Sequence, residues 1–315
     1  MSGSPPAALL EQHQRLAPAL AGLREAEPWP HFFDLRLSEW EIVLRLAGPA
    51  MRPGRWLDVG SGNSASTLLL SAEGYWTVGL DLPARDLATH TYGAELHAAV
   101  WKGVGRRVPV VWGTATDLPF RGETFDGVFS SYAIQYLADI DRGLREIFRV
   151  LKPGGTAVLV VPSAGQRVGA FSSMWREIAR EGLSRVLCRR ARPPRPAPAD
   201  GSPPVTGGGL WSQLRRRFPD FPLPNPDSAH RSYLRELLDS RLAAWRRRAR
   251  RAGFAVELAG TTSVTLRAVT EWVVSPWRAH RALRRLQILV QSGPLRRLVT
   301  HLGESHLLVL AKGAA

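Results

Sequence analysis

Short apolar runs alternate with helical texture between residues 55 and 161, and this alternation limits the fold more than any other feature of the chain. The runs are Arg55–Val59, Trp76–Leu80, Val108–Trp112, Gly127–Ser130 and Thr156–Val161. Each is rich in β-branched or aromatic residues and is bounded by Gly, Pro or Asp, the pattern of a strand closed by turns. Val158–Val161 is apolar at every position, as suits a strand covered on both faces. Helical stretches such as Asp141–Leu151 lie between the runs. Strands alternating with helices predict βαβ units and a parallel sheet.

The flanks read differently. Ala7–Arg24 has helical texture, followed by Trp29, Phe32 and Phe33. A short amphipathic helix is expected over Ser38–Ala47, with Ser38 as its N-cap and Gly48-Pro49 as its stop. From Ser163 the strand pattern breaks. Val168–Leu187 reads as an amphipathic helix with Phe171, Met174, Trp175, Ile178, Leu183 and Val186 on one face. Residues 189–210 are rich in Pro, Gly and Arg and are expected to be poorly ordered. Another Pro-rich loop spans Phe218–Pro226. Helical texture returns over Tyr233–Arg251, ended by Gly253, and Phe254–Leu258 reads as a strand. Trp277–Gln291 is a further amphipathic stretch with Arg278, Arg281, Arg284 and Arg285 on its polar side, and His306–Ala311 is a last strand.

Composition narrows the classes. The chain has 315 residues, room for one large domain or a domain with a sizeable insertion. No apolar run reaches the roughly 18 uncharged residues of a membrane-spanning helix, and Met1–Leu10 lacks the basic start of a signal peptide. The single cysteine, Cys188, makes neither an intrachain disulfide nor a cysteine-based metal site, so a cytoplasmic protein is expected. The net charge of +15 lies entirely in the second half: residues 163–315 carry 27 Lys/Arg against 10 Asp/Glu. Only three of the 42 basic residues are lysines, a bias that a GC-rich genome would also produce. The basic half is thus either a solvated arginine surface or a face for anionic partners.

The chemistry gathers at the ends of the predicted strands. Leu57-Asp58-Val59-Gly60-Ser61-Gly62-Asn63-Ser64 closes one strand and opens a helix. Glycines there let the backbone turn sharply and lie against a ligand, and the helix start offers free N–H groups. Nineteen residues after Gly62, Asp81 ends the next strand, where a carboxylate can accept hydrogen bonds from both hydroxyls of a ribose. After the third strand comes Gly113-Thr114-Ala115-Thr116-Asp117-Leu118-Pro119-Phe120, in which Asp117 could accept from an exocyclic amine and so read adenine.

The segment 55–162 resembles the class I S-adenosylmethionine-dependent methyltransferases, in particular the ubiquinone/menaquinone-biosynthesis group. Matching in order are Leu-Asp-Val-Gly-Ser-Gly at 57–62, Gly-Leu-Asp at 79–81, Thr-Asp-Leu-Pro-Phe at 116–120 and Phe-Asp-Gly-Val-Phe-Ser at 125–130. A fifth and very specific match is the run from Leu144 to Gly155, Leu-Arg-Glu-Ile-Phe-Arg-Val-Leu-Lys-Pro-Gly-Gly. Ala252-Gly253-Phe254 is similar to the family's lead into its sixth strand, and the likeness over 245–315 is thin. The resemblance implies a Rossmann-like, doubly wound α/β fold of seven strands in the order 3-2-1-4-5-7-6, with strand 7 antiparallel. It implies a helical N-terminal cap over residues 1–50, a core that binds S-adenosyl-L-methionine over 51–162, a basic helical insertion over 163–232 as substrate lid, and completion of the sheet over 233–315. It also implies cofactor-binding roles for Asp58, Gly60, Ser61 and Gly62 at the methionine end, for Asp81 and Leu82 at the ribose, for Thr116, Asp117 and Leu118 at the adenine, and for Ser130 near the sulfonium. Two departures stand out. Ser64 replaces the family's third glycine, and Tyr132-Ala133-Ile134-Gln135-Tyr136-Leu137 lacks the histidine that often follows the fourth strand.

A sulfonium methyl carries its own reactivity, so the protein's task is to align a nucleophile and exclude water, and a general base is optional. His31, Tyr132, Tyr136 and His230 are candidates by position. Aromatic residues of the two flanks (Trp29, Phe32, Phe33, Phe171, Trp175, Trp211, Phe218 and Phe221) point to an apolar, small-molecule acceptor such as an isoprenoid quinone or a polyketide. Arginine-faced helices suit peripheral contact with an anionic membrane. A nucleic-acid methyltransferase is the alternative offered by the basic half, although no Asn/Asp-Pro-Pro-Tyr/Phe motif follows the fourth strand. A cofactor-binding protein without turnover is the third class. The oligomeric state is not legible.

Overall fold

A computed structural model describes residues 32–62, 64–83, 98, 101, 107–188, 232–262, 300 and 303–314. The expected helices at Ala7–Arg24 and Trp277–Gln291, the Pro-rich stretches at 189–210 and 218–226, and the candidates His31 and His230 lie outside these residues.

Helix α1 (Phe32–Ala47) leads into a short 3-10 turn at Gly48–Ala50 and strand β1 (Arg55–Val59). Then come α2 (Ala65–Ala72), β2 (Trp76–Asp81), β3 (Val110–Trp112), β4 (Phe125–Ser131), α3 (Ile140–Val150) and β5 (Leu151–Pro162). The remainder is α4 (Ala164–Cys188), α5 (Tyr233–Asp239), α6 (Leu242–Arg251), β6 (Ala255–Gly260) and β7 (Ser305–Ala311). The seven strands form one sheet in the order β3-β2-β1-β4-β5-β7-β6. All neighbours are parallel except β7, which runs antiparallel to both β5 and β6. The expected Rossmann-like topology is therefore the observed one.

Alternate residues of each strand feed two separate cores, as the period of two in a strand requires. Leu57, Val59, Ala157, Leu159, Val161, Leu308 and Leu310 pack with Leu144 and Ile147 of α3 and Trp245 of α6. Trp56, Val158, Val160, Leu307 and Val309 pack on the other side with Trp40 and Val43 of α1 and Leu69 and Leu70 of α2. Sheet burial on both faces explains why the strands read as unbroken apolar runs.

Three local differences from the sequence reading have physical causes. Ser38 lies inside α1, which starts at Phe32, so it is not the N-cap. The Lys-Pro-Gly-Gly segment is a bulge within β5: β4 pairs Phe125 with Leu151 and then Gly127 with Thr156, so Asp126 alone faces Lys152–Gly155. Asp126 fills that gap, accepting from Lys152 Nζ at 2.8 Å and from the Arg55 backbone N–H at 2.8 Å. Tyr233–Arg251 is broken into α5 and α6 at Ser240-Arg241. The Ser240 carbonyl lies 3.1 Å from Nε2 of His306 on β7, a tertiary contact that holds the break. An ion pair between Arg167 of α4 and Glu236 of α5, 3.3 Å apart with both side chains buried, joins the two helices after β5.

Candidate functional site

The glycine loop sits at the carboxyl end of β1, between β2 and β4 in the centre of the sheet, where ligands of open α/β sheets bind. Gly60 has φ +73° and Gly62 φ +55°, left-handed values that glycine adopts without steric cost. The backbone N–H groups of Gly60 and Ser61 donate to the Leu80 carbonyl at 2.8 and 3.0 Å, folding the loop over the end of β2. Gly79 on β2 makes room: a Cβ there would stand 2.9 Å from both Cβ and Oγ of Ser61. A Cβ at Gly60 would stand 2.1 Å from Cβ of Ala133, so the loop also lies directly against the segment after β4.

Two carboxylates organise this loop. Asp58 is fully buried, and its Oδ2 accepts from Ser66 Oγ and Thr67 Oγ1 at 2.7 Å each, which fastens the start of α2 to the end of β1. Asp81 ends β2; its Oδ2 accepts from the Gly62 N–H at 2.6 Å and its Oδ1 from the Leu82 N–H at 2.8 Å. Leu82 beside it is exposed. Ser61 presents a buried hydroxyl with no hydrogen-bond partner among the described residues.

Ser64 is also left-handed, at φ +64°, ψ +8°. The position the family gives to glycine thus keeps a glycine conformation while holding a serine, at a cost on the order of 1 kcal/mol. Ser64→Gly is expected to raise stability by up to about 1 kcal/mol, read as a higher urea midpoint. A lower midpoint would mean that the buried Ser64 side chain outweighs its backbone strain.

The segment after β3 is held from outside the sheet. Asp117 is exposed, and Thr116 Oγ1 lies 2.9 Å from Thr114 Oγ1. The Leu118 N–H donates to Glu146 Oε2 at 2.8 Å, while Arg149 donates to the carbonyls of Leu118 and Phe120 at 3.0 and 2.8 Å. Arg149 and Glu146 pair with each other through Nε–Oε1 at 2.8 Å and Nη2–Oε2 at 2.7 Å. This fork on α3 braces the Thr-Asp-Leu-Pro-Phe loop and gives the Leu-Arg-Glu-Ile-Phe-Arg run a task beside its place in the core. The sequence showed Glu146 and Arg149 only as a spacing that ordinary solvated helix pairs share. The Leu118 side chain is buried and its amide serves Glu146. Ser130 is likewise fully buried, and its hydroxyl donates to the Val59 carbonyl at 2.8 Å, joining β4 to β1.

The hydrogen bond from Arg149, and then the Leu118 amide, hold the Glu146 carboxyl below the ordinary glutamate range. A lowered folded-state value contributes stability above the unfolded value, and that contribution is lost as pH falls through the folded one. Glu146→Gln is therefore expected to lower the urea midpoint at neutral pH, with the gap to the parent closing in acid below the ordinary glutamate range. A gap independent of pH would contradict a charged role.

Of the positional candidates, Tyr132 and Tyr136 follow β4 directly. Tyr132 adopts φ +50°, and its hydroxyl lies 3.3 Å from Oε1 of Glu39 on α1. Nothing in the sequence singled out Glu39, which lies 93 residues from Tyr132.

The donor set fits S-adenosylmethionine: a glycine loop with a buried unpartnered hydroxyl, a carboxylate at the end of β2 and an exposed carboxylate after β3. Comparison with known proteins agrees. Residues 57–159 match the family described as a methyltransferase domain. A demethylmenaquinone methyltransferase of Mycolicibacterium gilvum (strain PYR-GCK) is 33% identical over 144 residues, which are 46% of this chain and 57% of that one. The enzyme of that name from Mycolicibacterium paratuberculosis (strain ATCC BAA-968 / K-10) is 34% identical over 150 residues, 47% of this chain and 58% of that one. The chain thus spans less than two thirds of the length of these curated relatives. A solved S-adenosylmethionine-dependent methyltransferase from Mesorhizobium loti is 16% identical with a TM-score of 0.44, covering 87% of this chain and 97% of that one. The family and the fold imply use of S-adenosylmethionine, and the segment from residue 57 to residue 159 is a class I methyltransferase domain.

Proposed function

We propose that the protein transfers a methyl group from S-adenosylmethionine to a small, apolar acceptor of the quinol type. The observation that carries this reading is the Asp81 carboxylate closing on the Gly62 amide at the centre of the sheet. In this reading Asp81 holds the ribose hydroxyls, with the exposed Leu82 against the nucleoside. Thr116 and Asp117 read the adenine from a loop braced by Glu146 and Arg149. Gly60, Ser61 and Gly62 give the methionine end a close backbone and the Ser61 hydroxyl, and Asp58 keeps that loop in shape. Leu118 and Ser130 act by shaping the walls, since the Leu118 amide and the Ser130 hydroxyl are committed to Glu146 and Val59.

When bound, the cofactor supplies an electrophilic methyl group. The chain's own part is to orient the acceptor, exclude water and manage a proton. Two features support a quinol-type acceptor: the name of the relatives, which are demethylmenaquinone methyltransferases, and the helical segments flanking the core, α1 and the residues after β5, which in this reading form cap and lid. No described helix is long and apolar enough to cross a membrane. A peripheral contact between the basic helices and an anionic, quinone-bearing membrane belongs to the same proposal.

The test is methyl incorporation from S-adenosylmethionine, followed by mass spectrometry, into a reduced 2-prenyl-1,4-naphthoquinol and, separately, into RNA and DNA. Label in the naphthoquinol supports the reading. Label confined to nucleic acid would replace it with the polymer alternative.

A further inference from the structure

Two leucines on the outward side of α5 belong to neither core. Leu234 and Leu238 are 57% and 46% exposed, and their spacing of four puts them on one stripe of the helix. The opposite stripe, Tyr233, Glu236 and Ser240, is buried. That side is pinned. Glu236 pairs with Arg167 of α4 at 3.3 Å, the Tyr233 hydroxyl donates to the Arg167 carbonyl, and the Ser240 carbonyl lies 3.1 Å from His306 Nε2. The helix therefore cannot roll to bury its leucines without breaking a buried ion pair.

The leucines stand at a defined edge of the molecule. His306 pairs with Val161 at the carboxyl end of β5, and Arg167 lies in the first turn of α4, just past that end. Helix α5 thus lies at the carboxyl edge of the sheet, the edge that carries the glycine loop. Charge adjoins the leucines. Residues 232–252 hold seven arginines and two acids. Both acids are matched: Glu236 by Arg167, and Asp239 by Arg235 at 3.2 Å and Arg248 at 3.7 Å. Arg241 is exposed and donates from Nε to the Leu238 carbonyl at 3.2 Å. Exposed Arg247, Arg250 and Arg251 occupy the side of α6 away from buried Leu242, Trp245 and Ala249. From Arg241 to Arg251 the arginines extend along about 15 Å of helix. Among the described residues no carboxylate pairs with Arg241, Arg247, Arg250 or Arg251.

We propose that the outward side of α5 and α6 docks the protein on an anionic lipid surface. Leu234 and Leu238 enter the acyl boundary, and Arg241, Arg247, Arg250 and Arg251 meet the headgroup phosphates. The proposal rests on the reading above for a lipid-soluble acceptor and names the face that reaches it. A bilayer boundary takes up both chemistries at once: leucines leave water, and arginines without a carboxylate meet acidic headgroups. A nucleic acid would engage the arginines, but it stacks on aromatic rings and offers little to a pair of aliphatic side chains. No described helix is long and apolar enough to span the bilayer, so the attachment lies in the interface plane. Because α5 lies at the carboxyl edge of the sheet, docking keeps the cofactor's edge next to the bilayer that holds the acceptor.

Sedimentation of the full chain with vesicles tests the face. One set holds phosphatidylglycerol and phosphatidylcholine in equal parts, the other phosphatidylcholine alone. The parent is expected to sediment with the first and not with the second, and less as salt rises. Leu234→Ser with Leu238→Ser is one variant; Arg247→Gln with Arg250→Gln and Arg251→Gln is the other. Each is expected to lower partitioning by about 10-fold or more. All five positions are exposed, so both variants should keep the parent's circular dichroism and its turnover on a short-chain naphthoquinol in solution. Turnover should fall when the naphthoquinol carries a long prenyl chain and is held in the anionic vesicles. Single-stranded RNA is titrated in parallel: the leucine variant should match the parent there. A parent that ignores phosphatidylglycerol overturns the proposal. So does parent-like sedimentation of the leucine variant, whether the arginine variant is released, as from a general polyanion surface, or not. Parent-like sedimentation of the arginine variant overturns it as well. Absence of methyl transfer to the soluble naphthoquinol counts against the methyltransferase reading, and sedimentation still decides the face.

Discussion

Gly127→Ala is expected to destabilise the protein by about 3 kcal/mol, at the upper end of what one added methyl group does to a packed core. Gly127 of β4 pairs with Trp56 of β1, and the fully buried indole lies across it. A Cβ at Gly127 would stand 2.2 Å from Cε2 and 2.4 Å from Cδ2 of that ring. The ring cannot swing away, because its Nε1 donates to the Arg52 carbonyl at 3.0 Å and its face meets Tyr75 at a centroid distance of 5.1 Å. Chemical denaturation would show a lower midpoint at an unchanged slope. A midpoint equal to the parent's would mean that the sheet yields where the packing says it cannot. The family's Phe-Asp-Gly motif thus has a packing reason in this chain: its aspartate bridges to Lys152 and its glycine receives an indole.

Gly60→Ala is the second large effect, and it falls on binding. The substitution meets both a positive φ and the Ala133 Cβ at 2.1 Å. The first costs about 1–2 kcal/mol for an L side chain. The second displaces the glycine loop or the segment carrying Tyr132. Affinity for S-adenosylhomocysteine is expected to drop by at least about 100-fold, equivalent to roughly 2.7 kcal/mol. The double variant Gly60→Ala with Ala133→Gly removes the collision and keeps the strain, so it should recover part of the loss. No recovery would show that the conformation at Gly60, and not its contact with Ala133, sets the affinity.

Much of this molecule was legible from residue pattern, for identifiable reasons. The sheet is covered on both faces, so its strands were apolar runs; the helices between them fixed parallel pairing, and the resemblance supplied the strand order. Asp81 could be placed because strand length and the distance from Gly62 bring it to the end of β2. What escaped were contacts between segments distant in the chain. The break at Ser240-Arg241 depends on His306, 66 residues away. The bulge at Lys152–Gly155 depends on Asp126 of the neighbouring strand. Glu146 and Arg149 stood in the sequence only as members of the run from Leu144 to Gly155, and only the folded chain brings Leu118 and Phe120 onto them. Glu39 had the least signal of all, one of two glutamates in the short amphipathic helix expected over Ser38–Ala47. Ser64 is the converse case: the sequence showed a departure from glycine, and the structure shows that the glycine conformation is retained despite it.

The central claim is that Gly60–Gly62 and Asp81 form an S-adenosylmethionine site. Calorimetric titration of S-adenosylhomocysteine onto the parent chain and onto Asp81→Ala, with folding checked by circular dichroism, tests it most directly. The account predicts binding by the parent and, for the variant, a loss of about 30-fold or more, from hydrogen bonds to a charged group worth about 1.5–3 kcal/mol each. A parent that does not bind, or a folded Asp81→Ala variant that binds as tightly as the parent, would contradict it.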